Sequence, residues 1–451
     1  ENFAKGYRFG FFPSVAIGYL LSEEKFMEST RSWLDNLKLR FSVGTLGNGN
    51  VDPYKLLPPM SISKTGVIVG DGQVNYTSYP GLIPNNLTWE KVTTYDVGVD
   101  VDMFKNRLTI GFDWYRRNTT DMYTVGPTLP EVLGTTQPKG NYADLTTKGW
   151  ELSLSWRDNF KLAGSDFHYG VKLMLWDSQS WITKYNNATG KLSDYYEGYR
   201  IGDIWGYNIE GLFTSYDEIA NHADQDYMKI SDSKIWQPGD LKFADLNGDG
   251  KIDKGAQTLS DHGDLVIVGN EEERYHYGFN LNVGWKGIGI SAFFQGVGKR
   301  DWYPGQETGF FWGKYNRPYG YSLKMHENRW TEENPNPNAY WPRLVGYSSE
   351  NGGRPMGTPN NRYMQDASYL RLKALTVDYS LPQAWVSKLG LTGLKIYFTG
   401  ENLFTFSNVC ENFDPEVIKG GDVDLKDRKG EEQGYSYPML KTYTVGLNVS
   451  F

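Results

Sequence analysis

The densest run of side chains able to do chemistry is Asp245-Leu246-Asn247-Gly248-Asp249-Gly250-Lys251-Ile252-Asp253. Asp245, Asn247 and Asp249 carry side-chain oxygens at positions 1, 3 and 5 of an EF-hand-type loop, and Gly250 stands where that loop turns sharply. Lys251 occupies the position that binds through a backbone carbonyl, and Asp253 occupies position 9. Calcium takes roughly six to eight oxygen ligands, so this density predicts a structural calcium site. Position 12 is Ala256 rather than Glu. The bidentate ligand must then come from elsewhere, and Asp261 and Asp264 are nearest in sequence. The alternative is a metal-free Asn-Gly-Asp-Gly turn.

A second concentration is aromatic. Trp302, Tyr303, Phe310, Phe311, Trp312, Tyr315, Tyr319, Tyr321, Trp330, Tyr340 and Trp341 crowd one segment. Such rings stack on sugars, pack against a protein partner, or form the core of a folded loop. The three readings stay open. Under the first two, Trp302, Tyr303, Trp312, Tyr315, Trp330 and Trp341 are the candidate substrate or lid contacts. Catalysis finds no support. There is no Gly-x-Ser-x-Gly elbow, His-Glu-x-x-His pair or phosphate loop. The five histidines have no metal-ligand spacing, and His276 reads as a polar lining group. Glu271-Glu272-Glu273 reads as a solvated charge run rather than as glycosidase carboxylates.

The elements that must position these residues are strands. The last ten residues alternate Tyr443, Val445, Leu447, Val449 and Phe451 with small or polar side chains, giving one apolar and one wet face. Ten earlier segments do the same, with apolar faces at Val15–Leu21, Leu37–Val43, Tyr95–Met103, Leu108–Trp114, Trp150–Trp156, Phe167–Leu175, Tyr277–Trp285, Ile288–Phe294, Leu375–Leu381 and Leu394–Phe398. Connections alternate in length. Short or moderate ones lie at 22–36, 104–106, 158–166, 286–287 and 382–393. Long ones lie at 47–89, 118–147, 177–274, 298–368 and 405–439. Short turns at one end and long loops at the other are the pattern of an outer-membrane barrel. A sandwich has no reason to keep that parity, and no propeller-length repeat is visible.

Composition agrees. Among 451 residues, 32 Tyr and 15 Trp accompany a mean hydropathy of −0.55, as aromatic girdles, a polar lumen and long polar loops require. Trp114, Trp150, Trp156 and Trp285 are expected at the membrane interfaces. A net charge of −8 with mixed signs shows no nucleic-acid footprint. Cys410 is the only cysteine, so no intrachain disulfide exists. Eleven strands are half of the roughly 22 in plugged outer-membrane transporters. The expected fold is therefore all-β, the C-terminal half of a large antiparallel transmembrane β-barrel. The whole of 1–451 would be barrel, with 178–274 and 298–368 as extracellular loops and the plug upstream of residue 1.

Several segments carry a family resemblance. They are Gly10-Phe11-Phe12-Pro13-Ser14, Ser22-Glu23-Glu24-Lys25-Phe26, Leu37-Lys38-Leu39-Arg40, Trp89-Glu90-Lys91 and the run from Gly239 to Gly250. Tyr369-Leu370-Arg371-Leu372-Lys373, Gly400-Glu401-Asn402-Leu403-Phe404, Phe413-Asp414-Pro415-Glu416 and the terminal Phe451 complete the set. In this order they resemble the SusC-like (RagA-like) TonB-dependent transporters of Bacteroidetes. The resemblance implies active import of nutrient oligomers across the bacterial outer membrane, with oligosaccharide the favoured cargo and peptide the alternative. It also implies a SusD-like surface lipoprotein as lid, and a TonB complex acting through the plug. Two other classes compete: an outer-membrane adhesin or receptor without transport, and a secreted all-β glycan-binding enzyme. An upstream plug separates transporter from adhesin, and a need for detergent separates both from the secreted enzyme.

Overall fold

The computed structural model describes residues 3, 5–50, 60–78, 80–83, 87–127, 129–130, 132, 134, 137–229, 235–305, 308–316, 320–345, 355–418 and 436–451. Eleven strands form one antiparallel sheet in chain order. They are β1 (Ser14–Leu20), β2 (Leu34–Asn48), β3 (Glu90–Met103), β4 (Leu108–Val125), β5 (Lys139–Leu162) and β6 (Ser165–Tyr185), followed by β7 (Arg274–Trp285), β8 (Ile288–Lys299), β9 (Tyr369–Ser380), β10 (Gly393–Ser407) and β11 (Thr442–Ser450). Each strand pairs only with its neighbours, and β1 and β11 are the two edges. Among the described residues no helix is long and apolar enough to cross a membrane.

Register decides which side chains share a face, because residues directly opposite one another point the same way. Ile17, Phe41, Val97, Trp114 and Trp150 lie in one row across β1 to β5. Trp285, Ile288, Tyr379, Ile396 and Leu447 lie in another across β7 to β11. These rows make one face apolar from edge to edge. It is left open: Val445 is 76% exposed and Ile17 63%. The other face is polar. Ser291, Thr376, Thr399 and Thr444 form one row there. Arg40 bridges Asp100 and Asp113 at 2.8 Å each. Gly98 lies between those groups; a Cβ there would fall 2.6 Å from the Arg40 Cζ, so the ion pair needs that glycine.

Two corrections concern strand ends. The expected 158–166 connection is mostly strand, and the true turn is Ala163-Gly164, at φ 47° and 75°. Lys286-Gly287 turns at φ 49° and 84°. Positive φ at both central residues suits the type I′ hairpin, whose twist matches the strands it joins. The expected 118–147 loop shrinks to 126–138, because β4 and β5 run on past the apolar stretch. The parity of the connections is unaffected. In an antiparallel sheet, 49–89, 126–138, 186–273, 300–368 and 408–441 all leave from one end. Rings gather near the opposite end: Phe160 packs at 5.0 Å on Phe167, and Phe104 at 6.2 Å on Trp156.

Candidate functional site

Three of the long connections fold together. One buried cluster draws Tyr207, Phe243 and Ile252 from 186–273, Trp312, Trp341 and Tyr363 from 300–368, and Phe413 and Ile418 from 408–441. Backbone bonds tie the first two connections. Tyr207 N donates to Pro359 O at 2.9 Å. Asn361 Oδ1 accepts the Ile209 N–H at 2.7 Å, and its Nδ2 donates back to Ile209 O at 3.3 Å. Gly239 turns at φ 88° with a Cβ position only 2.3 Å from the Trp330 ring. That lets the following Asp240 reach Arg343 at 2.6 and 2.9 Å. Burial pushes the Asp240 carboxyl up, against the pull of Arg343. Glu218 is held down at about 2 by the Thr214 N–H and by Lys242.

The aromatic candidates are this core. Trp302, Trp312, Tyr315 and Trp341 are each at most 2% exposed, and Trp330 is buried as well. Trp341 stacks on Tyr363 at 5.2 Å and on Tyr315 at 5.2 Å. Their ring faces meet one another rather than solvent, which corrects the reading of these five as surface contacts. Tyr303 is half-buried, donating to Met356 O at 2.6 Å and accepting from Asn360 Nδ2 at 2.7 Å. Tyr319 lies outside the described residues. His326 is sealed into the same core. Its Nδ1 accepts the Leu323 N–H at 2.8 Å and its Nε2 lies 2.8 Å from Phe311 O, so the ring is neutral with its proton on Nε2. Burial pushes its pKa down.

The Asp245 loop is held by its own backbone. Asp245 accepts from Gly248 N at 2.7 Å and Gly250 N at 2.9 Å. Asn247 Oδ1 accepts from Asp249 N, and Asp249 Oδ1 from Lys251 N. Buried Asp264 is the centre: it accepts from Leu246 N at 2.7 Å, Asn247 N at 3.4 Å and Asp253 N at 3.0 Å. Asp253 and Asp261 cap the next turn through Gly255 N and Ala256 N. Ile252, wholly buried, anchors the loop in the common core. Among the described residues no group of three or more His, Cys, Asp or Glu side chains is placed to hold a metal. The oxygens present are hard donors with lone pairs to spare, so the donor set fits calcium in kind.

Sequence reasoning missed the tie between sheet and connections. Arg371 of β9 is 3% exposed and reaches Asp414 at 2.5 Å, Glu416 at 2.5 Å and Thr405 Oγ1 at 2.8 Å. Lys373 reaches the other Glu416 oxygen at 2.7 Å. The signal was legible: Arg371 and Lys373 alternate with Leu370 and Leu372, and Asp414 and Glu416 offer two acids at the same spacing.

An antiparallel wall with one apolar and one polar face, and with its long connections at one end only, defines the class: a transmembrane β-barrel protein. The model of the family described as TonB dependent receptor-like, beta-barrel matches residues 2–251; the chain belongs to that family, whose members are transporters of the outer membrane and not enzymes. Along its whole length the chain is 29% identical to TonB-dependent receptor P3 of Formosa agariphila and 26% identical to TonB-dependent receptor SusC of Bacteroides thetaiotaomicron. It covers 43% and 41% of those two proteins, less than half of either. Among solved structures, the RagAB peptide transporter shares the fold, with a TM-score of 0.74 at 21% identity over the whole of this chain and 44% of that one.

Proposed function

We propose that this chain forms the C-terminal wall of a barrel that imports nutrient oligomers across the outer membrane. The cargo is an oligosaccharide or a peptide. A SusD-like lipoprotein lids the opening, and a TonB complex supplies energy through a plug carried elsewhere in the full receptor. The observation that carries the reading is the sheet itself, with its apolar and polar faces and all its long connections at one end. Those connections would be extracellular and the two-residue turns periplasmic. The tryptophans of 300–368 no longer favour glycan over peptide, since they are buried. The test is uptake. Cells carrying the full-length receptor, and cells lacking it, are fed labelled oligosaccharides and peptides. Receptor- and TonB-dependent accumulation of either class supports import. Surface binding without accumulation supports the adhesin instead.

Calcium at Asp245, Asn247, Asp249, the Lys251 carbonyl and Asp253, completed by Asp261 or Asp264, belongs to the same reading. The EF-hand spacing and the anchored Ile252 support it. Calcium should slow proteolysis of the 245–264 segment severalfold relative to chelator, and Asp249→Ala should remove the difference while leaving the barrel intact. Equal cleavage with calcium and with chelator would establish the bare turn.

A further inference from the structure

On the polar face, near the end where the long connections leave, two rings stand against each other. Trp176 of β6 and His276 of β7 are directly opposite. Their ring centroids are 5.0 Å apart and their planes 2° from parallel. A stack between neighbouring strands sets both planes across the strand-to-strand direction. One face of the indole therefore meets His276, and its other face is turned toward β5. The β5 residue opposite Trp176 is Glu151. Glu151 is exposed and has neither an ion pair nor a hydrogen bond among the described residues. Trp176 keeps 39% of its surface open, unlike the tryptophans of the loop core.

The surroundings leave this corner negative. Glu273, on the far side of His276, lies 3.8 Å from its Nδ1 and is compensated by Arg300 at 2.8 Å. Of the neighbours of Trp176 and His276 two positions along their strands, Met174, Ser178 and Gly278 are uncharged and Arg274 is neutralised by Asp177 at 2.5 Å. On the other flank of Glu151 the opposite residue is Asp113, whose Arg40 is shared with Asp100, so one cation there meets two acids. Glu151 itself has no ion-pair partner among the described residues, and the nearest ring face carries the negative side of an aromatic quadrupole. Both attract a cation, and each strengthens the hold of the other. A neutral sugar stacking on Trp176 would instead have to share the free ring face with the Glu151 carboxylate.

We propose that Glu151 and Trp176 form a subsite on the inner wall for an organic cation, a guanidinium or primary ammonium carried by the imported oligomer. This rests on the import reading and narrows its cargo. A basic peptide side chain and an amino sugar share that chemistry, and the test separates them. In the full-length receptor, purified in detergent, calorimetric titration compares an arginine-containing peptide with its citrulline counterpart. It also compares a glucosamine oligomer with its N-acetylated form.

At least one cationic probe should bind about tenfold more tightly than its neutral counterpart, and the advantage should shrink with added salt. Glu151→Gln should abolish the advantage. Trp176→Ala should weaken the cationic probe about tenfold, and Trp176→Phe should restore most of it. Trp114→Ala, on the apolar face, is the control and should change nothing. Equal affinity for both members of each pair would overturn the subsite, as would an advantage indifferent to Glu151→Gln and Trp176→Ala. Neither outcome touches import, which fails only if the wild-type receptor accumulates no oligomer in cells.

Discussion

At the scale of single residues, the informative side chains are those whose partners lie far away in sequence. Trp341 is fully buried among rings from its own connection and side chains from two others. Trp341→Ala should destabilise the loop core by about 3–5 kcal/mol, read as faster amide exchange in 300–345. Lost ligand binding with unchanged exchange would restore the contact role. His326 adds a pH dependence. Its folded pKa is depressed below the ordinary 6.5 by burial, so its contribution is complete above that value and is lost as pH falls. Protonating Nδ1 must break the bond from Leu323 N. Proteolysis of 300–345 should therefore accelerate between about pH 7 and about pH 5; the His326→Gln variant should not show the change. In the sequence this burial was one of three open readings. Exposed and core tryptophans have the same composition, and the sequence does not say which distant segment will cover them. The Asp245 run shows the limit from the other side: its spacing is visible in the sequence, but the role of Asp264 in gathering three backbone N–H groups depends on a fold that spacing cannot reveal.

At the scale of elements, period-two alternation located all eleven strands, because one wet and one apolar face leave that mark on every segment. The ends were less legible. Beyond the apolar stretch β4 and β5 continue as polar strands, where alternation between two wet faces leaves no hydrophobic trace. At the other end Phe160 and Leu162 keep alternating up to a turn whose only local sign is Gly164. The element with most influence on the connections is β9, through Arg371. Arg371→Met would leave the nearly buried Asp414 without its cation and Glu416 with Lys373 alone. The expected cost is about 3–5 kcal/mol. It should appear as detachment of 408–418, measured as faster amide exchange in that segment. Unchanged exchange would show that the ion pairs are bystanders.

For the whole molecule, the two edges dominate. β1 and β11 are each paired on one side only, and unpaired backbone is costly in lipid. Residues 1–451 expressed alone should therefore aggregate or misassemble in detergent. Supplying the remaining strands of the receptor should give a monodisperse, heat-modifiable barrel. In that barrel Leu447→Asp, on the apolar face, should cost up to about 3 kcal/mol depending on depth. A closed, monodisperse barrel from 1–451 alone would refute the half-barrel reading. The common core of the three connections also bears on biogenesis. Its rings come from segments that only meet once β6 to β11 are side by side. Until then Trp312, Trp341 and Tyr363 are bare, and the precursor crosses the periplasm as a sticky, aromatic-rich thread. Contacts of such long sequence separation form late. Maturation is then expected in two stages, insertion of the staves and then condensation of the cap, with the rings exposed in the interval between them.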